Sequence, residues 1–207
     1  MKKTLSIVSV AIACALSTVA FGHVKHVNTQ TTPAVSSDDA NPWYVGVYGG
    51  YGKVNEDVEY STSTTNTGFL FGGDAGYQFM KNFGLELGFT HFADTKYNAD
   101  LGSFTTTAQG TANYVIDLAA TGRVFVAQNL SLFAKLGPAL AHNNFTAGVP
   151  GTFTAEGEDY AVVGFGAAGV AYQFAQDWSA SLQALGTTSS SNVPGMYGGA
   201  LGVEYHF

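Results

Sequence analysis

Apolar side chains recur at every second position in eight segments of the chain between Trp43 and Phe207. A repeat of two is the period of a β-strand whose two faces meet different surroundings. Beyond the first 22 residues, no stretch approaches the roughly 18 uncharged apolar residues that a membrane-spanning helix requires. Any part of this region that crosses a bilayer must therefore cross it as strands. The sequence predicts an all-β fold: an eight-stranded antiparallel transmembrane β-barrel with short periplasmic turns and longer extracellular loops.

The charged residues decide which face of the predicted barrel points outward. Asp, Glu, Lys and Arg make up 11% of the chain, whereas a soluble surface needs roughly a quarter to a third. Within the strands, only Lys53 shares the apolar parity. The apolar face is therefore expected to meet lipid, and a soluble barrel with its apolar face inside is the formal alternative. The opposite face would line a narrow polar lumen that contains a charge network: Asp74, Glu86, Asp117, Arg123, Lys135 and Glu204.

The charges of the predicted lumen need partners, because a buried charge without one is strongly destabilising. The order of the strands favours a pair between Glu86 and Arg123. Lys135 is expected to pair with either Asp117 or Asp74. Two interpretations of this network stay open. It is either a structural plug that satisfies the lumen, or a gate in which an exchange of partners opens a narrow pore.

Short and long connections alternate along the predicted strands. The short turns contain Asn82, Asn129 and Asp177, at intervals of 47 and 48 residues, which indicates three similar hairpins. The longer connections are rich in Thr, Ser, Asn and Gly and fall near 55–66, 94–107, 142–158 and 186–195. Aromatic residues beside the short turns and at the ends of the barrel region predict a periplasmic girdle of Trp43, Phe79, Phe83, Phe125, Phe174, Trp178 and Phe207.

The N-terminus has the three parts of a secretory signal peptide. Two lysines precede an uncharged apolar run, and Ala20-Phe21-Gly22 places small residues at the −3 and −1 positions of a cleavage site. The only cysteine lies inside this signal, so the exported chain is expected to contain no disulfide. Three regions are predicted: a signal peptide for the Sec pathway, a flexible linker and the barrel domain, at 1–22, 23–42 and 43–207.

The barrel region resembles the eight-stranded outer-membrane barrels of the OmpA/OmpX/Opa type. The segments that carry the resemblance are WYVGVYGGYG at 43–52, FGGDAGYQF at 71–79, FGLELGFTHF at 83–92 and GALGVEYHF at 199–207. The resemblance implies a place in the outer membrane of a Gram-negative bacterium, in contact with outer-membrane lipid. It also implies that the C-terminal strand is an assembly signal for the barrel-insertion machinery, formed by Leu201, Val203, Tyr205 and Phe207.

The sequence assigns no catalytic, cofactor-binding or metal-binding residue. The five histidines are scattered, and His91 and His142 lack the serine two positions later that barrel-type lipid A deacylases carry. The predicted loops are acidic, which disfavours nucleic acid as a partner. The resulting hypothesis is a porin-like barrel that is not an enzyme. It has a structural and surface-interaction role, adhesin-like or in immune evasion, with loops that bind a host or serum protein. The alternatives are a narrow low-conductance pore gated by lumenal charge pairs and, less favoured, a lipid-modifying enzyme.

Overall fold

The computed structural model describes residues 42–55, 63–92, 94–100, 105–149 and 153–207. The predicted signal peptide and residues 23–41 of the predicted linker lie outside the described residues. No helix in the described part of the chain is long and apolar enough to cross a membrane. Within the described residues the strands are β1 (Trp43–Asn55), β2 (Ser63–Thr65), β3 (Thr67–Met80), β4 (Phe83–His91), β5 (Thr95–Asp100), β6 (Thr105–Phe125), β7 (Leu130–Val149), β8 (Phe153–Gln173), β9 (Trp178–Thr187) and β10 (Gly195–His206).

Eight of these strands close into an antiparallel barrel. Around the barrel they follow the order β1, β3, β4, β6, β7, β8, β9 and β10, and β10 pairs with β1 to complete the circle. The two short strands β2 and β5 lie outside this circle, because β5 pairs with the outer part of β6 and β2 pairs with β5. The predicted eight-stranded antiparallel barrel is confirmed. Closure leaves no free sheet edge in the part that crosses the bilayer.

Paired residues on adjacent strands are displaced along the barrel axis, so the strands are staggered around the barrel. Register partners followed from Trp43 once around the eight strands lead back to β1 at Lys53, ten residues further along. A stagger of ten residues over eight strands tilts the strands by about 40° from the barrel axis. Each residue along a strand then adds roughly 2.5 Å of height, and each step to the next strand in this direction adds roughly 3 Å.

Large apolar side chains cover the outside of the barrel. Phe69, Val162 and Leu201 are 82%, 76% and 67% exposed, whereas the inward-facing Glu86 and Lys135 are 3% and 6% exposed. This arrangement inverts that of a soluble barrel. It is the one predicted from the charges, and it places the apolar face against lipid.

The lumen is divided along its length. The half next to the short turns contains the charged side chains, and the outer half is filled by apolar ones. The outer plug is formed by Val54, Leu70, Phe92, Val115, Val163, Phe165, Val193 and Met196. Val193 belongs to the β9–β10 connection, which turns inward: the Ser190 hydroxyl accepts hydrogen bonds from the backbone N–H groups of Asn192 and Val193.

The connection predicted at 142–158 is mostly strand, so the loop prediction there is wrong. β7 continues to Val149 and β8 begins at Phe153, and their register is continuous to the pair that these two residues form. The Asn, Thr and Gly residues of this segment indicated a loop. Phe145, Thr146 and Val149 are residues that favour strands, and the antiparallel pairing decides the conformation.

The connection predicted at 94–107 also contains strand, because β5 fills 95–100 and β6 begins at Thr105. β2 lies within the predicted loop 55–66, whereas the connection near 186–195 is a loop as predicted. The outer parts of β6 (105–111), β7 (142–149) and β8 (153–163), together with β2 and β5, form one sheet above the barrel. It is called the extracellular sheet below.

Two leucines of β7 test the orientation of the barrel in the bilayer. Leu136 and Leu130 face outward with similar exposure, 39% and 36%. Leu130 lies at the periplasmic end, and Leu136 lies about 15 Å higher, near the middle of the hydrocarbon. We expect Leu136→Arg to lower the free energy of unfolding by about 2–4 kcal/mol and Leu130→Arg by about 0–1 kcal/mol. Denaturant titration in phospholipid vesicles measures both, and equal costs would contradict this placement.

Candidate functional site

Lys135 is the centre of the lumenal charge network. It extends from β7 across the lumen, where its Nζ lies 2.6 Å from Glu86 Oε1 on β4 and 2.9 Å from Asp74 Oδ2 on β3. The second oxygen of Glu86 accepts a hydrogen bond of 2.6 Å from the Tyr44 hydroxyl. A Cβ at position 76 would overlap the Tyr44 ring, so glycine at this position gives the ring its space. The Lys135 ammonium group thus links β7 to β3 and β4 across the lumen.

Arg123 and Glu204 form a second ion pair closer to the periplasmic end. Arg123 Nη2 lies 2.9 Å from Glu204 Oε2, which also accepts a hydrogen bond of 3.3 Å from the Ser179 hydroxyl. His206 Nε2 lies 3.7 Å from the same oxygen. Glu204 is therefore the shared acceptor of this end of the lumen.

The predicted pair between Glu86 and Arg123 is wrong. Glu86 lies opposite Ala119 on β6, and the Arg123 N–H donates to the carbonyl of Asn82 in the turn before β4. Arg123 therefore lies four residues below Glu86, at the level of that turn. The sequence gives the neighbouring strands but not their stagger, and the stagger decides which charges meet.

Asp117 is placed differently from the other lumenal carboxylates. It is 2% exposed, and neither carboxylate oxygen has a hydrogen-bond partner among the described residues. It lies over Gly88, where a Cβ would overlap it, just below the apolar plug. Of the two alternative partners expected for Lys135, Asp74 is confirmed and Asp117 is not the partner. The network contains four carboxyl groups and two basic side chains, Arg123 and Lys135.

The two ends of the chain's barrel region meet at the periplasmic side. The Phe207 N–H donates to the Trp43 carbonyl at 3.1 Å, and the Trp43 and Tyr77 rings are 4.9 Å apart. Leu201, Val203 and Tyr205 lie on the outward face of β10, where Tyr205 contacts Trp178. The aromatic residues assigned to the girdle are 44–56% exposed and lie beside the short connections or the strand ends: Trp43, Phe79, Phe83, Phe125, Phe174, Trp178 and Phe207.

A row of aromatic and histidine side chains crosses the outer surface at the base of the extracellular sheet. Its members are consecutive register partners on five strands: Phe71, His91, Tyr114, His142 and Tyr160. The His142 ring lies 4.6 Å from the Tyr114 ring and 4.3 Å from the Tyr160 ring, between the two. Sequence reasoning treated these histidines one by one and missed the row, which only the strand registers make visible.

The extracellular sheet has a free edge on β8. Gly164 is the outermost residue of β8 that bonds towards β9. Its N–H donates to Thr188 Oγ1 at 2.9 Å, and its carbonyl accepts from the Thr188 N–H at 2.8 Å. Beyond Gly164, no described strand pairs with this side of β8. Among the described residues, 153–163 therefore pair on one side only, with β7. This backbone edge is the second candidate site of the molecule.

A small cavity opens at the periplasmic end of the lumen. Its volume of about 10 Å³ is enough for about one water molecule, and its wall includes Gln78, Thr121 and Phe133. In the described part of the chain, no three His, Cys, Asp or Glu side chains are grouped to hold a metal ion.

The family model of the OmpA-like transmembrane domain matches residues 38–207. The chain belongs to this family. Its place is the outer membrane, as the resemblance implied, and its apolar face contacts the lipid there. The sequence matches none of the curated proteins.

Solved structures of outer-membrane barrels are similar to this OmpA-like barrel. The N-terminal barrel domain of Pseudomonas aeruginosa OprF has 18% sequence identity and a TM-score of 0.52, over 82% of this chain and 100% of that one. OprG from Pseudomonas aeruginosa has 12% identity and a TM-score of 0.54, over 81% and 98%. Neisserial surface protein A has 16% identity and a TM-score of 0.50, over 82% and 100%. At these identities the likeness shows the fold alone.

Two substitutions compare how a paired and an unpaired lumenal charge contribute to the stability of the barrel. Lys135→Met leaves Asp74 and Glu86 buried without their cation, so we expect a loss of about 3–5 kcal/mol in the free energy of unfolding. Asp117→Asn removes a buried charge that has no hydrogen-bond partner in the described part of the chain, so we expect it to raise that free energy. Denaturant titration in vesicles compares both with the unsubstituted protein. A destabilising Asp117→Asn would show that the Asp117 carboxylate has a stabilising partner.

Proposed function

We propose that this outer-membrane barrel acts as a surface-interaction protein, adhesin-like or in immune evasion, whose extracellular sheet binds a host or serum protein. The observation that carries the proposal is the continuation of β6, β7 and β8 as paired strands above the barrel. The pairing of β7 with β8 runs 12 residues beyond the level where β9 ends opposite Phe165, to the register pair Val149 and Phe153.

Barrel closure does not require this extension. The periplasmic connections 81–82, 126–129 and 174–177 join the same kind of strands with two to four residues. Ordering each additional residue costs roughly 1–2 kcal/mol of conformational entropy, which the extra pairing must offset. An ordered sheet outside the bilayer is pre-organised, so a partner that binds it does not bear that ordering cost. This supports a binding role in preference to a purely structural one.

A pore is not favoured by the arrangement of the lumen. Apolar side chains such as Leu70, Phe92 and Met196 fill its outer half, and an apolar constriction excludes water and ions. We propose that the charge pairs of Lys135 and Arg123 serve as a structural plug that joins opposite walls of the barrel.

Recording in planar bilayers tests the plug. We expect no conductance steps from the intact barrel, because the apolar half of the lumen blocks the path above Asp117. Lys135→Met changes only the charged half, so it should also remain closed. Steps from the unsubstituted protein that Lys135→Met enlarges or abolishes would support the gated pore instead.

We also propose that the C-terminal strand is the signal for the barrel-insertion machinery. The side chain of Phe207 is 54% exposed and contacts the Tyr205 ring at 5.1 Å, while its N–H bonds to Trp43 through the backbone. We expect Phe207→Ala to reduce the amount of barrel assembled in cells several-fold. Alanine keeps the backbone hydrogen bond to Trp43 but removes the aromatic side chain of the assembly signal. Spontaneous folding of the purified chain into vesicles is the control. An equal loss there would indicate a fault in stability rather than in assembly.

The test of the binding role removes the outer β7–β8 part of the extracellular sheet and keeps the barrel. Asn143 and Asp159 are register partners, so residues 144–158 can be replaced by the two-residue turn Asn-Gly that joins such a pair. Barrels with and without this segment are displayed on a non-adherent bacterium and scored for binding to epithelial cells, matrix proteins and complement regulators. Gln128→Ala in a periplasmic turn is the matched control.

We expect the shortened barrel to lose at least about tenfold of the binding and the Gln128→Ala control to lose none. Undiminished binding by the shortened barrel would place the contact elsewhere. Absence of binding by the intact barrel to all three target classes would contradict the proposed function.

A further inference from the structure

We propose that the free edge of β8 binds a basic, extended segment of a partner protein as an additional antiparallel strand. The inference rests on the proposed function and names the chemistry of its partner. Sheet edges with unpaired N–H and C=O groups accept a further strand, and the backbone hydrogen bonds then supply much of the affinity.

The hydrogen-bonding groups of the edge follow from the pairing of Gly164. Residues two apart on a strand direct their N–H and C=O to the same side. Gly164 bonds towards β9 with both groups, and the β7–β8 register runs on without a shift from Gly164 to Phe153. The residues that direct both groups to the free side are therefore Val162, Tyr160, Glu158, Glu156 and Thr154. They offer an edge long enough for a segment of about nine residues.

The edge is open because of the shape of the β9–β10 connection. β9 ends at Thr187 and β10 begins at Gly195, so the chain between them is short. Val193 in this connection is 1% exposed, because the connection folds over the mouth of the barrel and inserts this side chain into the plug. The same residues therefore do not extend alongside β8, and its outer part has no neighbour on that side among the described residues.

The edge lies outside the hydrocarbon of the bilayer. Unpaired backbone groups are too costly to be placed against lipid tails, so the hydrocarbon must end near the level of Gly164. Tyr160, in contact with His142 at the outer surface, is an aromatic residue of the type that marks this interface. Glu158 and Glu156, further along the strand, are exposed to solvent. The free backbone groups thus lie where a soluble segment can reach them.

The charge of the edge selects its occupant. Glu156 and Glu158 point outward and are exposed, and Asp159, which follows Glu158, is half-buried. A second copy of the chain paired through the same edge would bring these carboxylates opposite each other, which is destabilising. A segment with Lys or Arg at alternate positions would place its charges opposite Glu156 and Glu158 instead, which favours binding.

The experiment uses the exported full-length protein in nanodiscs and a defined probe. The probe is a blocked ten-residue peptide of alternating lysine and threonine, with binding followed by fluorescence anisotropy. Glu158→Gln and Glu158→Pro form a matched pair, because both remove the same charge and only proline also removes the edge N–H. Proline is tolerated on edge strands, and this N–H is not used in pairing with β7. The boiled-versus-unboiled gel shift checks that each variant is folded.

We expect the Glu158→Gln variant to bind the probe a few-fold more weakly, and the Glu158→Pro variant to bind about five- to tenfold more weakly than Glu158→Gln. The same peptide N-methylated at alternate residues keeps its charge but loses half of its donors. We expect it not to bind the unsubstituted protein, and this measurement stands even where the proline variant does not fold.

Equal affinity of the proline and glutamine variants, or undiminished binding of the N-methylated peptide, would show that charge attraction alone holds the peptide. Either result would overturn the inference. A dimer linked through β8, or preference for a peptide with glutamate in place of lysine, would also overturn it.

If displayed barrels bind cells through the extracellular sheet but the Glu158→Gln and Glu158→Pro variants bind the peptide equally, the proposed function stands and the inference fails. If the peptide binds the edge but the displayed barrels bind no host target, the proposed function fails and the strand-binding site remains.

Discussion

The need to satisfy every backbone hydrogen bond in hydrocarbon governs this structure. Lipid offers no donor or acceptor, so each strand that crosses the bilayer requires a neighbour on both sides. Eight strands meet this requirement by closing into a circle, with ten residues of stagger between the first strand and its return. Above the bilayer water can bond to the backbone, and there the requirement ends: β8 continues beyond Gly164 with one neighbour among the described strands. The free edge and the closed wall are two consequences of one constraint.

The lumen shows how a narrow barrel resolves two further demands. Its interior must be filled, and its charged side chains must be paired. Small residues on the inner face, such as Gly76 under Tyr44, leave room for long side chains to cross from the opposite wall. Lys135 uses that room to bind two carboxylates at once, and the apolar plug fills the space above. Asp117 lies at the boundary between the charged and the apolar half, and its carboxylate has no hydrogen-bond partner among the described residues.

The alternating pattern was enough to predict the number of barrel strands, and the positions of the charged residues were enough to predict the outward face, because lipid disfavours charged side chains on that face. The pattern was not enough for contacts between strands. Glu86 and Arg123 are on neighbouring strands but four residues apart in height, and the stagger of the barrel is not visible in any single segment. The extension of β7 and β8 was missed for another reason. Outside the bilayer, polar strand residues such as Asn144 and Glu158 have the composition of a loop, and only their pairing identifies them.

The bond between Phe207 and Trp43 joins residues 164 positions apart (207 − 43), and it belongs to the seam where β10 meets β1. A contact of such high sequence separation forms only after most of the chain has been ordered, because the loop that it closes is almost the entire barrel. Until then the sheet has two open sides, and both are exposed to self-association. The exported chain therefore has its greatest risk of aggregation just before its final strand arrives. An escort that shields β1 and β10 until they meet would act at the step where the chain is most vulnerable.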